Sequence, residues 1–152
     1  MRSAFFHHIE SDDLASRFAC FKPWLAAAAI YNLTWGLTTL TFPNAFFKAT
    51  GMPLPNYPTL WQCIGMFVLV FAPGYAWAAR DPFRFRHLIL IGFGGKLCGL
   101  TGYAWFAARG VLPPIFGCAI LTNDLIWLPA FAIFLRKAAA LCGGWRELAK
   151  GS

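Results

Sequence analysis

Two residues of this chain sit where charge is costly. Lys96 lies in "LILIGFGGKLCGLTGYAWF", residues 88–106, and Asp124 lies in "CAILTNDLIWLP", residues 118–129. Outside loops and helix ends they are the one base and the one acid of the apolar stretches. At 1.5 Å per helical residue, each stands about 15–18 Å from the ends of its run. A cation and a carboxylate at matched depth can neutralise each other, hold the polar end of a ligand, or act as acid and base. Amides accompany them. Asn32 in "AIYNLTWG" falls at a similar depth, Gln62 in "PTLWQCIGM" lies about one turn inside a boundary, and Asn123 points about 100° away from Asp124 around a helix.

The elements that must position these groups follow from composition. The 152 residues are 59% hydrophobic and only 12% charged, where soluble domains carry about 25% charged residues. Four apolar stretches, about 23–42, 58–79, 85–108 and 112–135, each approach the roughly 20 residues that cross a bilayer core. Four such helices in water would leave nothing to cover them. The expected fold is therefore all-α: an integral membrane, up-down four-helix bundle, one domain over 1–152, because short connections make neighbours antiparallel. The first stretch runs into "TFPNAFF" without a small-residue cleavage pattern, so it reads as a retained span. A charge at a helix centre costs roughly 2.5–3.5 kcal/mol on insertion scales, so Lys96 and Asp124 must pair, face the interior, or do chemistry.

Basic residues set the expected orientation. Arg2, Arg17 and Lys22, then Arg80, Arg84 and Arg86, then Arg136, Lys137, Arg146 and Lys150 share one side in a four-span arrangement. The other side holds only Lys48 and Arg109. The positive-inside rule then places both termini in the cytoplasm. The formal charge of +7 reads as attraction to anionic lipid and not as a nucleic-acid footprint.

Local signals fill in the connections. "SDDLASRFACF" offers Ser11 as a cap and Leu14, Phe18 and Phe21 on one face, a short interfacial helix within the N-terminal segment 1–22. "FPNAFFKATGMPLPNYP" suits a short interfacial helix and then an extended return forced by prolines. In "ARDPFRFRH", Asp81 reads as the N-cap of the third span with Pro82 at its first position. Gly143-Gly144 separates the fourth span from a "WRELAK" tail within 137–152. Trp24 and Trp77 read as one aromatic belt, and Trp61 and Trp105 as the other. Trp35 and Trp127 lie deeper, where they either pack or wall a pocket. Gly92, Gly95, Gly99 and Gly102 make a stripe with a GxxxG step, read as a helix-packing groove beside Lys96.

Other chemistries find little purchase. "GFGGKL" lacks the Ser/Thr and the preceding strand of a phosphate loop. His7-His8 is too little for a metal site, and Cys20, Cys63, Cys98, Cys118 and Cys142 show no CxxC and no zinc spacing, so no metal is expected. Cys63 and Cys118 fall at similar depth, which leaves a pair open beside simple packing as small hydrophobes.

The runs "YNLTWGLTTLTFPNAFF", "YPTLWQCIGM", "PGYAWAARDPFR", "GGK" and "NDLIW", from Tyr31 to Trp127, resemble a group of uncharacterised small bacterial four-span membrane proteins. Some of these carry the label alkyl hydroperoxide reductase, which no thiol setting in this sequence supports. Their layout is similar to the DoxX-like superfamily, whose founding members are membrane subunits of a quinone-linked oxidoreductase. The resemblance implies an accessory or ligand-holding subunit of a larger membrane redox or energy-converting complex, with quinone or lipid as ligand and membrane lipids and other subunits as partners. The alternative is a stand-alone enzyme on a lipid-like substrate, with Lys96 and Asp124 as acid and base. A proton path or small carrier ranks behind both, since one ion pair makes a poor relay.

Overall fold

A computed structural model of the chain describes residues 13–14 and 16–150. Ser11 and His7-His8 therefore lie outside the described residues. All regular structure among the described residues is helical. Three helical segments are long and apolar enough to cross a membrane: Pro58–Arg80, Arg86–Ala108 and Pro114–Cys142. The surface is inverted relative to a soluble domain, with Phe67 72% and Val70 71% exposed while Lys96 and Asp124 are each 5% exposed. This is a helical membrane protein.

The first long helix, α1 (Lys22–Thr41), has 20 residues, enough for about 30 Å. Its Asn32 and its threonines at 34, 38, 39 and 41 keep it less apolar than the other three. The expected count of four spans thus meets three helices that satisfy both criteria and one that satisfies length. A short helix, α2 (Ala45–Thr50), ends at Gly51, whose φ of 68° is a left-handed conformation that suits glycine. Pro58 starts α3 (Pro58–Arg80), where its missing N–H costs nothing.

Three differences from expectation have clear physical causes. The helix α4 (Arg86–Ala108) begins four residues after Pro82, and Asp81 does not cap it. Asp81 Oδ1 instead accepts from the Arg84 N–H at 3.1 Å, closing a turn in the connection. The fourth segment is longer than expected and broken. It runs through α5 (Gly117–Ile120) and a π turn at Leu121–Leu125 into α6 (Leu128–Cys142). Pro129 near the start of α6 has no N–H for the Leu125 carbonyl and crowds it, so the helix must restart there. Residues 137–142 belong to α6 and not to the tail. After Gly143 and Gly144, with φ of 80° and 137°, α7 (Trp145–Lys150) turns back and buries Leu148 in the core.

Register is antiparallel throughout. Asn32 faces Val68 and Leu40 faces Gln62 across α1 and α3. Tyr75 meets Gly92 across α3 and α4, and Tyr103 meets Pro114 across α4 and the fourth segment. Tyr31 donates to Thr122 Oγ1 at 2.9 Å, joining α1 to the fourth segment. Phe18 and Phe21 turn inward and pack on Phe134, with ring centroids 5.0 and 5.4 Å away. These two residues of the expected interfacial face are therefore buried in protein. Asp13, Leu14, Ser16 and Arg17 are helical, with Arg17 Nε 2.9 Å from Asp13 Oδ2.

The opposite end is closed by aromatic rings. Trp61 is buried against Trp35, Phe46, Phe47 and Phe116, all with centroids within 6 Å. Trp61 is therefore a core residue and not part of a belt, while Trp24, Trp77 and Trp105 are exposed. Trp127 is buried on Trp24 and Tyr31. Packing, not pocket lining, accounts for both deep tryptophans. All five cysteines are free.

Candidate functional site: a polar cavity at mid-helix

The π turn is what builds the site. In an α-helix the carbonyls of residues 122 and 123 would be consumed by the next turn. Here Ile126 N–H reaches back to Leu121 O at 3.1 Å and Trp127 N–H to Asp124 O at 3.2 Å. Thr122 O accepts instead from the Trp127 indole N–H at 2.9 Å. Asn123 O accepts a short hydrogen bond from Lys96 Nζ. The lysine is thus held by a backbone carbonyl that the irregular turn exposes, an arrangement membrane proteins tolerate only where protein groups satisfy it.

Lys96 Nζ also lies 3.9 Å from Asp124 Oδ1. At that distance the pair attracts by charge without a direct hydrogen bond. The Asn123 side chain supplies one, donating through Nδ2 to Asp124 Oδ1 at 3.0 Å. Asn123 therefore turns both its carbonyl and its amide to the pair, although the helical wheel places it about 100° away; the π turn rotates it inward. The Lys96 ammonium also stands 5.9 Å from the centroid of the Tyr75 ring.

Glycine makes room for two of these groups. A Cβ on Gly99 would fall 2.6 Å from Asp124 Oδ2, and one on Gly92 would overlap the Tyr75 ring. A Cβ on Gly95 would meet only Phe71 Cζ at 3.7 Å, and one on Gly102 nothing within 4 Å. Within the chain, the nearest neighbours of the stripe are side chains and not a helix backbone. Its glycines admit side chains from two different neighbours, with Gly95 left open between them. The close backbone approach lies elsewhere, where a Cβ on Gly36 would stand 2.9 Å from the Gly65 carbonyl oxygen.

Between α3 and α4 this arrangement leaves a cavity of about 160 Å³. Its polar wall is Asn32, Lys96, Asn123 and Asp124; Tyr75 and Phe71 add aromatic faces. Ile64, Phe67 and Gly95 also line it and are exposed on the outer surface. They sit near the middle of α3 and α4, so the opening faces sideways between the two helices. Asn32 is 2% exposed, and its Nδ2 donates to Val68 O at 3.3 Å. Its Oδ1 and that of Asn123 are buried without a hydrogen-bond partner.

Four of the five polar residues singled out in the sequence surround one cavity. Gln62 does not: its Nε2 donates to Leu40 O at 2.7 Å and ties α3 to α1 near the other end. Replacing it is expected to cost little. Hydrogen bonds between membrane helices average about 0.6 kcal/mol, so Gln62→Leu should lower unfolding stability in detergent by about that much and leave the cavity intact. A loss several times larger would mean that Gln62 does more than this single bond. Tyr75, 1% exposed, also lines the cavity; the π turn had one visible signal in Pro129. Against known protein families, curated proteins and solved structures, the chain finds no match.

Proposed function

We propose that the protein is a four-span inner-membrane subunit that holds a small ring- or lipid-like ligand for a larger redox or energy-converting complex. Its polar cavity takes the ligand's head group, and the tail lies in the bilayer. The observation carrying this reading is a polar wall in a cavity that opens sideways between two apolar helices. Membrane-embedded ionisable groups facing a cavity are functional-site candidates by default. Size narrows the ligand. An engineered apolar cavity of 150 Å³ binds benzene, so about 160 Å³ suits one six-membered ring or a head group of that bulk. A quinone ring and a compact lipid head both fall in that class. α1 completes the bundle as the fourth span, and the distribution of basic residues supports cytoplasmic termini. An accessory role is what a DoxX-like layout would imply.

Gly95 provides the test. Its Cβ position is open, and replacing an interior helical glycine gains up to about 1 kcal/mol of helix propensity. Gly95→Leu should therefore fold and fill the mouth of the cavity. Mass spectrometry of gently purified protein is expected to find a ring-bearing amphiphile or a specific lipid with the wild type, and most of it missing from Gly95→Leu. A wild type that carries no such molecule, or a variant that carries as much of it, would refute a ligand site here.

A further inference from the structure

We infer that the cavity selects an uncharged head group that accepts hydrogen bonds, a carbonyl oxygen, over a charged or purely apolar one. This deepens the proposed ligand-holding function and rests on it. Charge is the first filter. Lys96 and Asp124 are the charged residues of the wall, and with Nζ 3.9 Å from Oδ1 they already balance each other. A charged head group would add an uncompensated charge beside two residues that are each 5% exposed, where charge is costly. The second filter is which polar atoms remain free. An ammonium has three N–H groups. The Asn123 carbonyl engages one of them, and at 3.9 Å the carboxylate takes none as a hydrogen bond. Tyr75 touches the Phe71 and Phe131 rings, the Lys96 ammonium and Gly92, none of which accepts from its O–H. Acceptors are less accessible. The Asn32 and Asn123 Oδ1 atoms are buried away from any ligand. Asp124 Oδ1 takes the Asn123 amide, and Oδ2 turns toward Gly99, one turn beyond Gly95. The wall has donors to spare.

The two donors stand close together. Gly92 and Lys96 are one turn apart on the same face of α4, and the Tyr75 hydroxyl lies against Gly92. A carbonyl oxygen carries two lone pairs, so it accepts from a Lys96 N–H and has a second site for the Tyr75 O–H. A hydrocarbon at the same place leaves both donors unmet, and a carboxylate or phosphate brings negative charge toward Asp124. Tyr75 rests on Gly92 and closes the gap between them. The body of the ligand therefore lies along Ile64, Phe67 and Gly95, the exposed lining residues where the cavity opens.

The test compares heptanophenone with heptylbenzene, which differ by a carbonyl in place of a methylene, on detergent-purified full-length protein. Isothermal titration calorimetry gives each affinity, referenced to partition into protein-free micelles. The ketone should bind about tenfold more tightly, the scale of one hydrogen bond from a charged donor. Its isotopically labelled carbonyl carbon should resonate downfield of its position in empty micelles. Tyr75→Phe keeps the packed ring and should weaken the ketone about threefold while leaving the hydrocarbon unchanged. Lys96→Met should erase most of the remaining preference, and 4-heptylbenzoate should bind the wild type more weakly than the ketone. If ketone and hydrocarbon bind the wild type equally, or the benzoate binds best, the preference for an uncharged acceptor is wrong and the ligand site itself stands. If none of the three binds, both this inference and the ligand-holding function fall. An unfolded Lys96→Met does not blunt the test, because the wild-type ratios and Tyr75→Phe decide it.

Discussion

Lys96→Met is expected to destabilise the protein by about 3 kcal/mol, the cost of leaving one member of a buried pair uncompensated. The change keeps most of the side-chain volume and removes the charge. It strands the Asn123 carbonyl exposed by the π turn and leaves the Asp124 carboxylate without its countercharge, held only by the Asn123 amide at 3.0 Å. Asp124→Asn should cost less. The ammonium then keeps its bond to the Asn123 carbonyl, and an asparagine can still accept from the neighbouring amide. The double substitution should recover part of the loss, with a coupling of about 1–3 kcal/mol between the two sites. Unfolding by a graded increase of denaturing detergent, followed by tryptophan fluorescence, measures all three. Additive losses would show that the 3.9 Å approach carries no coupling, and that Lys96 is held by the backbone alone.

That comparison also separates the two readings of the pair left open by the sequence. Stability and ligand retention are independent measurements. A purely structural pair predicts that variants which remain folded keep whatever wild-type protein carries. A ligand site predicts that Asp124→Asn and Lys96→Met lose the bound molecule even under conditions where they stay folded.

What the sequence disclosed, and what it withheld, divides along physical lines. Lys96 and Asp124 were legible because each stands in a long apolar run, and the cost of charge in hydrocarbon forces such groups inward whatever the details of packing. Asn32 was legible by depth. The inward turn of Asn123 was not, because a helical wheel assumes regular spacing and the π turn at Leu121–Leu125 breaks it. Pro129 marks the place, but a proline says that a helix is interrupted and not which carbonyl is released. Trp61 misled in a different way. An aromatic one turn inside a boundary fits a belt, yet "FPNAFF" folds back as α2 and covers it with Phe46 and Phe47. Asp81 followed by Pro82 has the form of a helix start, and the chain spent it on a turn instead.

Gly36→Ala is expected to destabilise by about 2 kcal/mol, whereas Gly102→Ala should leave stability unchanged or raise it by up to about 1 kcal/mol. Read from sequence, the ranking is reversed, because Gly102 belongs to the conspicuous stripe and Gly36 stands alone in "TWGLTTL". Contacts explain the inversion. A Cβ on Gly36 would stand 2.9 Å from the Gly65 carbonyl oxygen and 2.9 Å from Leu69 Cβ, so two helix backbones would have to part. Across the same contact, a Cβ on Gly65 would stand 2.9 Å from Thr39 Cβ. Neither neighbour is the free end of a flexible side chain, and the cost of overpacking there exceeds the gain in helix propensity. Gly102 has nothing within 4 Å of its Cβ position, so only the propensity gain remains. The same detergent titration compares them. Should Gly102→Ala prove as costly as Gly36→Ala, a second chain or an unrecognised element must cover that face of α4, and the glycine stripe would be a docking groove after all.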